Sequence, residues 1–119
     1  YADEIAEKFG IKHLYARHPQ SLSEGQKRRV SIAAVVATDP EVLILDEPTV
    51  GQDYKGLCEM VEVLNKLHEE AHNTMITVTH DKRCAAALCD KSVWIKNGKT
   101  YKTGGKELVD EFFIQIGVN

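Results

Sequence analysis

Two short apolar runs, VLIL at Val42–Leu45 and MITVT at Met75–Thr79, flank a segment in which Leu57, Met60, Val61, Leu64, Leu67 and Ala71 recur at helical spacing. Runs of that length and branching suit strands buried in a parallel sheet, and the stripe between them suits one helix laid against that sheet. Strand, helix, strand in this order restricts the chain to an α/β layer arrangement. The other elements are read around this unit. Ala2–Phe9 predicts a helix stopped by Gly10, the usual residue for a left-handed C-terminal turn, and a loop follows to Ser21. Ser23 and Gln26 form a capping box, which predicts a helix from Glu24 to Thr38, apolar nearly all round in its middle and broken by Asp39 and Pro40. A short helix near Lys82–Leu88, a hairpin in VWIKNGKTYKTG and a last helix over Lys106–Phe113 complete the reading. There is no internal repeat and no low-complexity linker.

Composition narrows the function classes. A length of 119 residues suits one domain with a modest core, and a net charge of -3 provides no basic face for nucleic acid. The longest apolar run, Ile32–Ala37, is far short of a bilayer span, and the first residues are acidic, so direct membrane insertion is not expected. Cys58, Cys84 and Cys89 make no CxxC pair and leave an odd thiol, which fits a reducing, cytosolic setting with the cysteines as small core fillers. The chain begins at Tyr1, already inside a helical pattern, which suggests a piece of a longer polypeptide.

The chemistry-bearing residues cluster where such a fold would place them. Asp46 and Glu47 leave the carboxyl end of a strand, where open α/β sheets put their ligands. Magnesium takes few protein carboxylates and keeps several waters, so one acid beside bound phosphates suits it, while the next can orient or deprotonate water. By itself, an acid pair there is also an ordinary N-cap or solvated turn. Ser23, Glu24, Gly25 and Gln26 open a helix whose free amides and positive end can take an anion, with Gly25 allowing close approach. His80 follows the second strand.

The ordered set LSEGQ (Leu22–Gln26), LILDEP, an Asp53-containing turn and His80 resembles the ATP-binding cassette (ABC) ATPases, over Leu22 through His80. The resemblance implies a P-loop, RecA-like NTPase fold, of which this would be the C-terminal part: parallel strands, flanking helices and a C-terminal β-hairpin. Residues 1–39 would belong to the helical subdomain with the signature motif, and 40–119 to the RecA-like core with its hairpin and last helix. Leu22, Ser23, Glu24, Gly25 and Gln26 would be the signature motif contacting, in trans, the γ-phosphate of ATP held by a partner subunit. Asp46 would stand near magnesium, through water, as the Walker B aspartate. Glu47 would be the catalytic glutamate, Asp53 the D-loop aspartate at the dimer seam, and His80 the switch histidine. ATP and magnesium are the implied cofactors. The implied partners are a second ATPase subunit, head to tail, and transmembrane transporter subunits, at the cytoplasmic face of the membrane. Glu24 stands where the family usually has glycine, and Gly51-Gln52-Asp53 replaces a small-Leu-Asp turn; Glu24 is expected to point away from phosphate and favour the helix dipole. The run QKRRVSIAAVVATDPEVLILDEPT is most similar to the energy-coupling-factor and cobalt-type importers. Two other readings are an ABC-type DNA-repair or chromosome ATPase lobe, and a module that kept the signature without hydrolysing.

Two further patterns are decoys on this reading. A phosphate cradle, GxxxxGK[ST], is approached only at Gly98-Lys99-Thr100, with Val93 where glycine is needed, and Asn97-Gly98 signals a hairpin turn. The phosphate loop and glutamine loop are therefore missing, another segment must hold the phosphates, and the isolated chain is expected not to hydrolyse ATP. HEEAH, His68–His72, matches a zinc-peptidase pattern, but His68 lies in the apolar stripe and Asn73 ends the helix, which favours packed or helix-end histidines. His13 and His18 read as surface residues.

Overall fold

The computed structural model describes residues 2–117. It contains two compact units, one within Tyr1–Val78 and one within Thr79–Asn119.

In the first unit, α1 (Ala2–Lys8) ends where expected, with Gly10 left-handed at φ 66°. The amides of Gly10 and Ile11 donate back to the carbonyls of Glu7 and Ala6, so the last turn satisfies its own acceptors. The loop that follows carries two 3-10 turns, Lys12–Leu14 and Pro19–Ser21. Helix α2 (Glu24–Val36) opens on the reciprocal capping box: Ser23 Oγ accepts from the Gln26 amide at 3.1 Å, and Gln26 Oε1 accepts from the Ser23 amide at 2.9 Å. It stops before Thr38, and Asp39 takes the left-handed conformation at φ 53° that turns the chain toward the first strand.

Strand β1 (Val42–Asp46) pairs in parallel with β2 (Thr74–Val78), Val42 opposite Thr74 and Asp46 opposite Val78. Both strands differ by one residue from the apolar runs, because backbone pairing continues for as long as carbonyls and amides meet, whatever the side chains. Between them runs α3 (Tyr54–Ala71), which buries Leu57, Met60, Leu64 and Leu67. Val61 is half-buried and Ala71 exposed, so the seam is the narrower one spaced three and four residues apart. Leu43 and Leu45 are buried, as are Ile5, Ala6 and Phe9 of α1 and Ile32, Ala33 and Val36 of α2.

Burial of the sheet on both faces, expected from the apolar runs, does not occur among the described residues. Val42, Ile44, Ile76 and Val78 retain 52%, 67%, 49% and 50% of their accessible surface. Side chains alternate across a strand, so a sheet covered on one face only exposes every second residue however apolar it is.

In the second unit, α4 (Lys82–Leu88) precedes the antiparallel pair β3 (Ser92–Lys96) and β4 (Lys99–Gly104), and α5 (Lys106–Gln115) packs on α4, β3 and β4. Asn97 and Gly98 close the hairpin at φ 52° and 74°, the double left-handed turn that their sequence predicts. Trp94 is buried edge-on to Tyr101 and Phe112, with ring centroids 4.9 and 5.1 Å away. The cysteines divide. Cys84 is buried and Cys89 half-buried, but Cys58 is exposed on α3, outside the buried seam, and fills no core.

Candidate functional site

The N-terminus of α2 and the turn Gly51-Gln52-Asp53 form one surface. Gly25 is buried because the turn lies against it: a Cβ at Gly25 would sit 2.8 Å from the Gly51 carbonyl oxygen. Gly51 is left-handed at φ 83°, and the Gln52 amide donates to the Thr49 carbonyl at 3.2 Å, which closes the turn over buried Pro48 and Thr49. Asp53 caps α3, accepting from the Gly56 amide at 2.7 Å. Ser23, Gly25, Gln26 and Asp53 thus line one open groove of about 500 Å³, which Leu22 and Glu24 do not line.

Glu24 is exposed, and its carboxylate lies 3.6 Å from Lys27 Nζ, one turn along the helix. That exposed first-turn position favours the positive end of α2. Asp46 ends β1 on the exposed face of the sheet, and its carbonyl accepts from Arg28 Nη1 of α2 at 3.1 Å. Glu47, half-buried, continues the ladder by donating its amide to the Val78 carbonyl at 2.7 Å, then turns left-handed at φ 50°. A long acidic side chain is uncommon in that region, and here the conformation aims consecutive acids away from a straight strand path.

His80 belongs to the second unit, two residues past the end of β2 and just before Asp81, the N-cap of α4. Burial pushes the Asp81 carboxyl up, but the Arg83 side chain and the amides of Cys84 and Arg83 outweigh it and hold the group below its ordinary value. The HEEAH histidines serve a helix end. His68 Nδ1 lies 3.2 Å from Asn73 Oδ1, and His72 is the left-handed C-cap of α3 at φ 53°. Among the described residues no group of three or more His, Cys, Asp or Glu converges on a metal-sized space. His18 is exposed and caps a 3-10 turn, its Nδ1 accepting from the Gln20 amide at 3.2 Å, while His13 is exposed.

Sequence reasoning passed over Arg28 and Arg29 and noted Gln52 only as a departure. Arg29 donates to the carbonyls of Phe9 and Gly56, each at 3.3 Å, to Gln52 Oε1 at 3.2 Å and to the Glu59 carboxylate at 3.0 Å. The only signal for it was its place one helical turn after Gly25, where a long side chain can reach the following helix.

The parallel α/β frame thus carries a capped helix start seated on the Gly51–Asp53 turn, and an acid pair at a strand end. The chain is homologous to the ATP-binding subunits of ABC transporters, the energy-coupling-factor and CbiO types among them. The family described as ABC transporter matches residues 1–50. The energy-coupling factor transporter ATP-binding protein EcfA2 of Bacillus thuringiensis is 46% identical over 109 residues, 91% of this chain and 37% of that protein. The EcfA2 of Enterococcus faecalis is 40% identical over 109 residues, 91% of this chain and 38% of that protein. Among solved structures, cbiO1 from Clostridium perfringens, part of the ABC transporter complex cbiONQ, is 36% identical with a TM-score of 0.78, covering 97% of this chain and 47% of its own. The dimeric ABC transporter cassette MJ0796 is 31% identical with a TM-score of 0.79, covering 88% of this chain and 45% of its own. The same cassette has also been solved in a post-hydrolysis state bound to ADP and Pi. The chain therefore spans well under half the length of the curated relatives it matches. No helix among the described residues is long and apolar enough to cross a membrane.

Proposed function

We propose that this chain is the C-terminal part of the ATP-hydrolysing subunit of an ABC transporter, of the energy-coupling-factor or cobalt-importer type. The observation that carries the reading is the seating of Gly25 against Gly51, which puts the capped start of α2 and the Asp53 turn on one edge. Such an edge meets a nucleotide across a dimer seam, with the amides of Glu24 and Gly25 and the positive end of α2 turned to the γ-phosphate. The dimeric MJ0796 cassette supports the two-subunit arrangement, and the cbiONQ assembly supports a transmembrane partner. On this reading the working subunit sits at the cytoplasmic face of a membrane, held there by its transporter subunits.

Glu47 acts as the base that orients or deprotonates the attacking water, and His80 contacts the transferring phosphoryl group. Asp46 would hold magnesium, which when bound would supply charge neutralisation for the phosphate oxygens. The phosphates themselves are held by a segment other than the Gly98-Lys99-Thr100 hairpin turn, which has no phosphate-loop pattern.

The test is turnover of the full gene product that contains this chain. Glu47→Gln is expected to lower kcat by about 10²–10⁴-fold while MgATP still binds, and chelation of magnesium to abolish turnover. An unchanged kcat in Glu47→Gln overturns the assignment of the base. Magnesium-dependent turnover by the 119 residues alone would overturn the dependence on another segment.

A further inference from the structure

We propose that Gln52 is a positioning residue that couples the start of α2 to the Gly51–Asp53 turn, so that Ser23 and Asp53 move as one edge toward a nucleotide across the dimer seam. The proposal rests on the function proposed above. Both ends of the Gln52 amide are used: Nε2 donates to the Gly25 carbonyl at 2.8 Å, and Oε1 accepts from Arg29 Nε at 3.2 Å. The amide lies in a slot whose walls are glycines. A Cβ at Gly25 would come within 3.1 Å of Nε2, and one at Gly56 within 2.6 Å of Oε1.

A turn alone does not need this fit. A leucine at this position could make neither bond. The partner on the other side is itself anchored, since the half-buried Arg29 also donates to the Phe9 and Gly56 carbonyls and to Glu59. The start of α2 therefore cannot shift without dragging the turn or breaking a bond to Gln52. A nucleotide that engages Ser23 draws Asp53 with it, and binding at the seam becomes cooperative through a direct contact rather than through the sheet.

The test uses the full gene product in a Glu47→Gln background, with MgATP-driven dimerisation followed by analytical ultracentrifugation. Gln52→Met keeps the volume in the slot and removes both bonds. It is expected to raise the MgATP midpoint about fivefold to tenfold and to lower the Hill coefficient, while the melting temperature moves by a few degrees. A lowered melting temperature with unchanged midpoint and Hill coefficient would make Gln52 a structural strap only and overturn the proposal. Absence of any MgATP-dependent dimer in Glu47→Gln itself overturns the proposed function and takes this inference with it. Should Gln52→Met not fold, Gln52→Glu keeps the bond from Arg29, loses the donor toward Gly25, and is judged by the same two numbers.

Discussion

Two glycine-bearing turns in this molecule look alike in sequence and differ in what surrounds them. Gly51 and Gly98 are both left-handed, at φ 83° and 74°. Around Gly98, nothing lies within 4 Å of where a Cβ would point, so that glycine answers only to the backbone of a tight hairpin. At the Gly51 turn, glycine also answers to neighbours: a Cβ at Gly25 would lie 2.8 Å from the Gly51 carbonyl oxygen, and one at Gly56 would lie 2.6 Å from Gln52 Oε1. A glycine required by local conformation can be inferred from its neighbours in sequence. One required by a second element arriving from elsewhere cannot, and it is the second kind that builds the candidate site.

Four substitutions test the difference between the two turns, each measured by chemical denaturation. Leu64→Ala sets the upper scale, because Leu64 is fully buried in α3; it is expected to cost about 2–5 kcal/mol. Gly25→Ala drives a methyl into the Gly51 carbonyl and is expected to cost about 1–3 kcal/mol, with the midpoint for MgATP rising in the full gene product. Gly98→Ala has open space and meets only the left-handed strain, about 1 kcal/mol, with no effect on nucleotide. If Gly98→Ala proved as costly as Gly25→Ala, the distinction between the two turns would fail. Asp81→Asn is the smallest, about 0.5 kcal/mol near neutral pH, because asparagine also caps. Its signature is in acid: the Asp81 carboxyl is held below its ordinary value, so its contribution is present above the unfolded value of 3.8 and is lost as pH falls through the lower folded one. The variant should lack that acid-side loss of stability.

Elements governed by short-range chemistry were legible in the chain. The capping box at Ser23 and Gln26, the Asn97-Gly98 turn and the Gly10 helix stop involve groups only a few bonds apart, so residue types suffice to predict them. The four-residue core of α3, Leu57, Met60, Leu64 and Leu67, was legible from period alone, whereas Val61 and Ala71 were not excluded by it. The one-sided sheet was not legible, because an apolar strand residue does not record whether a layer covers it. Cys58 was misjudged for the same reason: its type favours burial, and its angle on α3 gives exposure.

In the site, the motifs named Leu22–Gln26, Asp46, Glu47, Asp53 and His80 without saying which of them touch. Residue types and their spacing specify the local frame: which segments are helix or strand, roughly where they start and stop, and which acids stand at a strand end. Only the tertiary structure decided that the start of α2 lies on the Gly51–Asp53 turn, that Gln52 fills the slot between two glycines, and that Arg29 ties four segments together. The physical reason is range. Caps and turns are settled by dihedral preferences and bonds within a few residues, whereas the bond from Gln52 to the Gly25 carbonyl joins distant positions and forms only once burial of the helices has set their distance and angle.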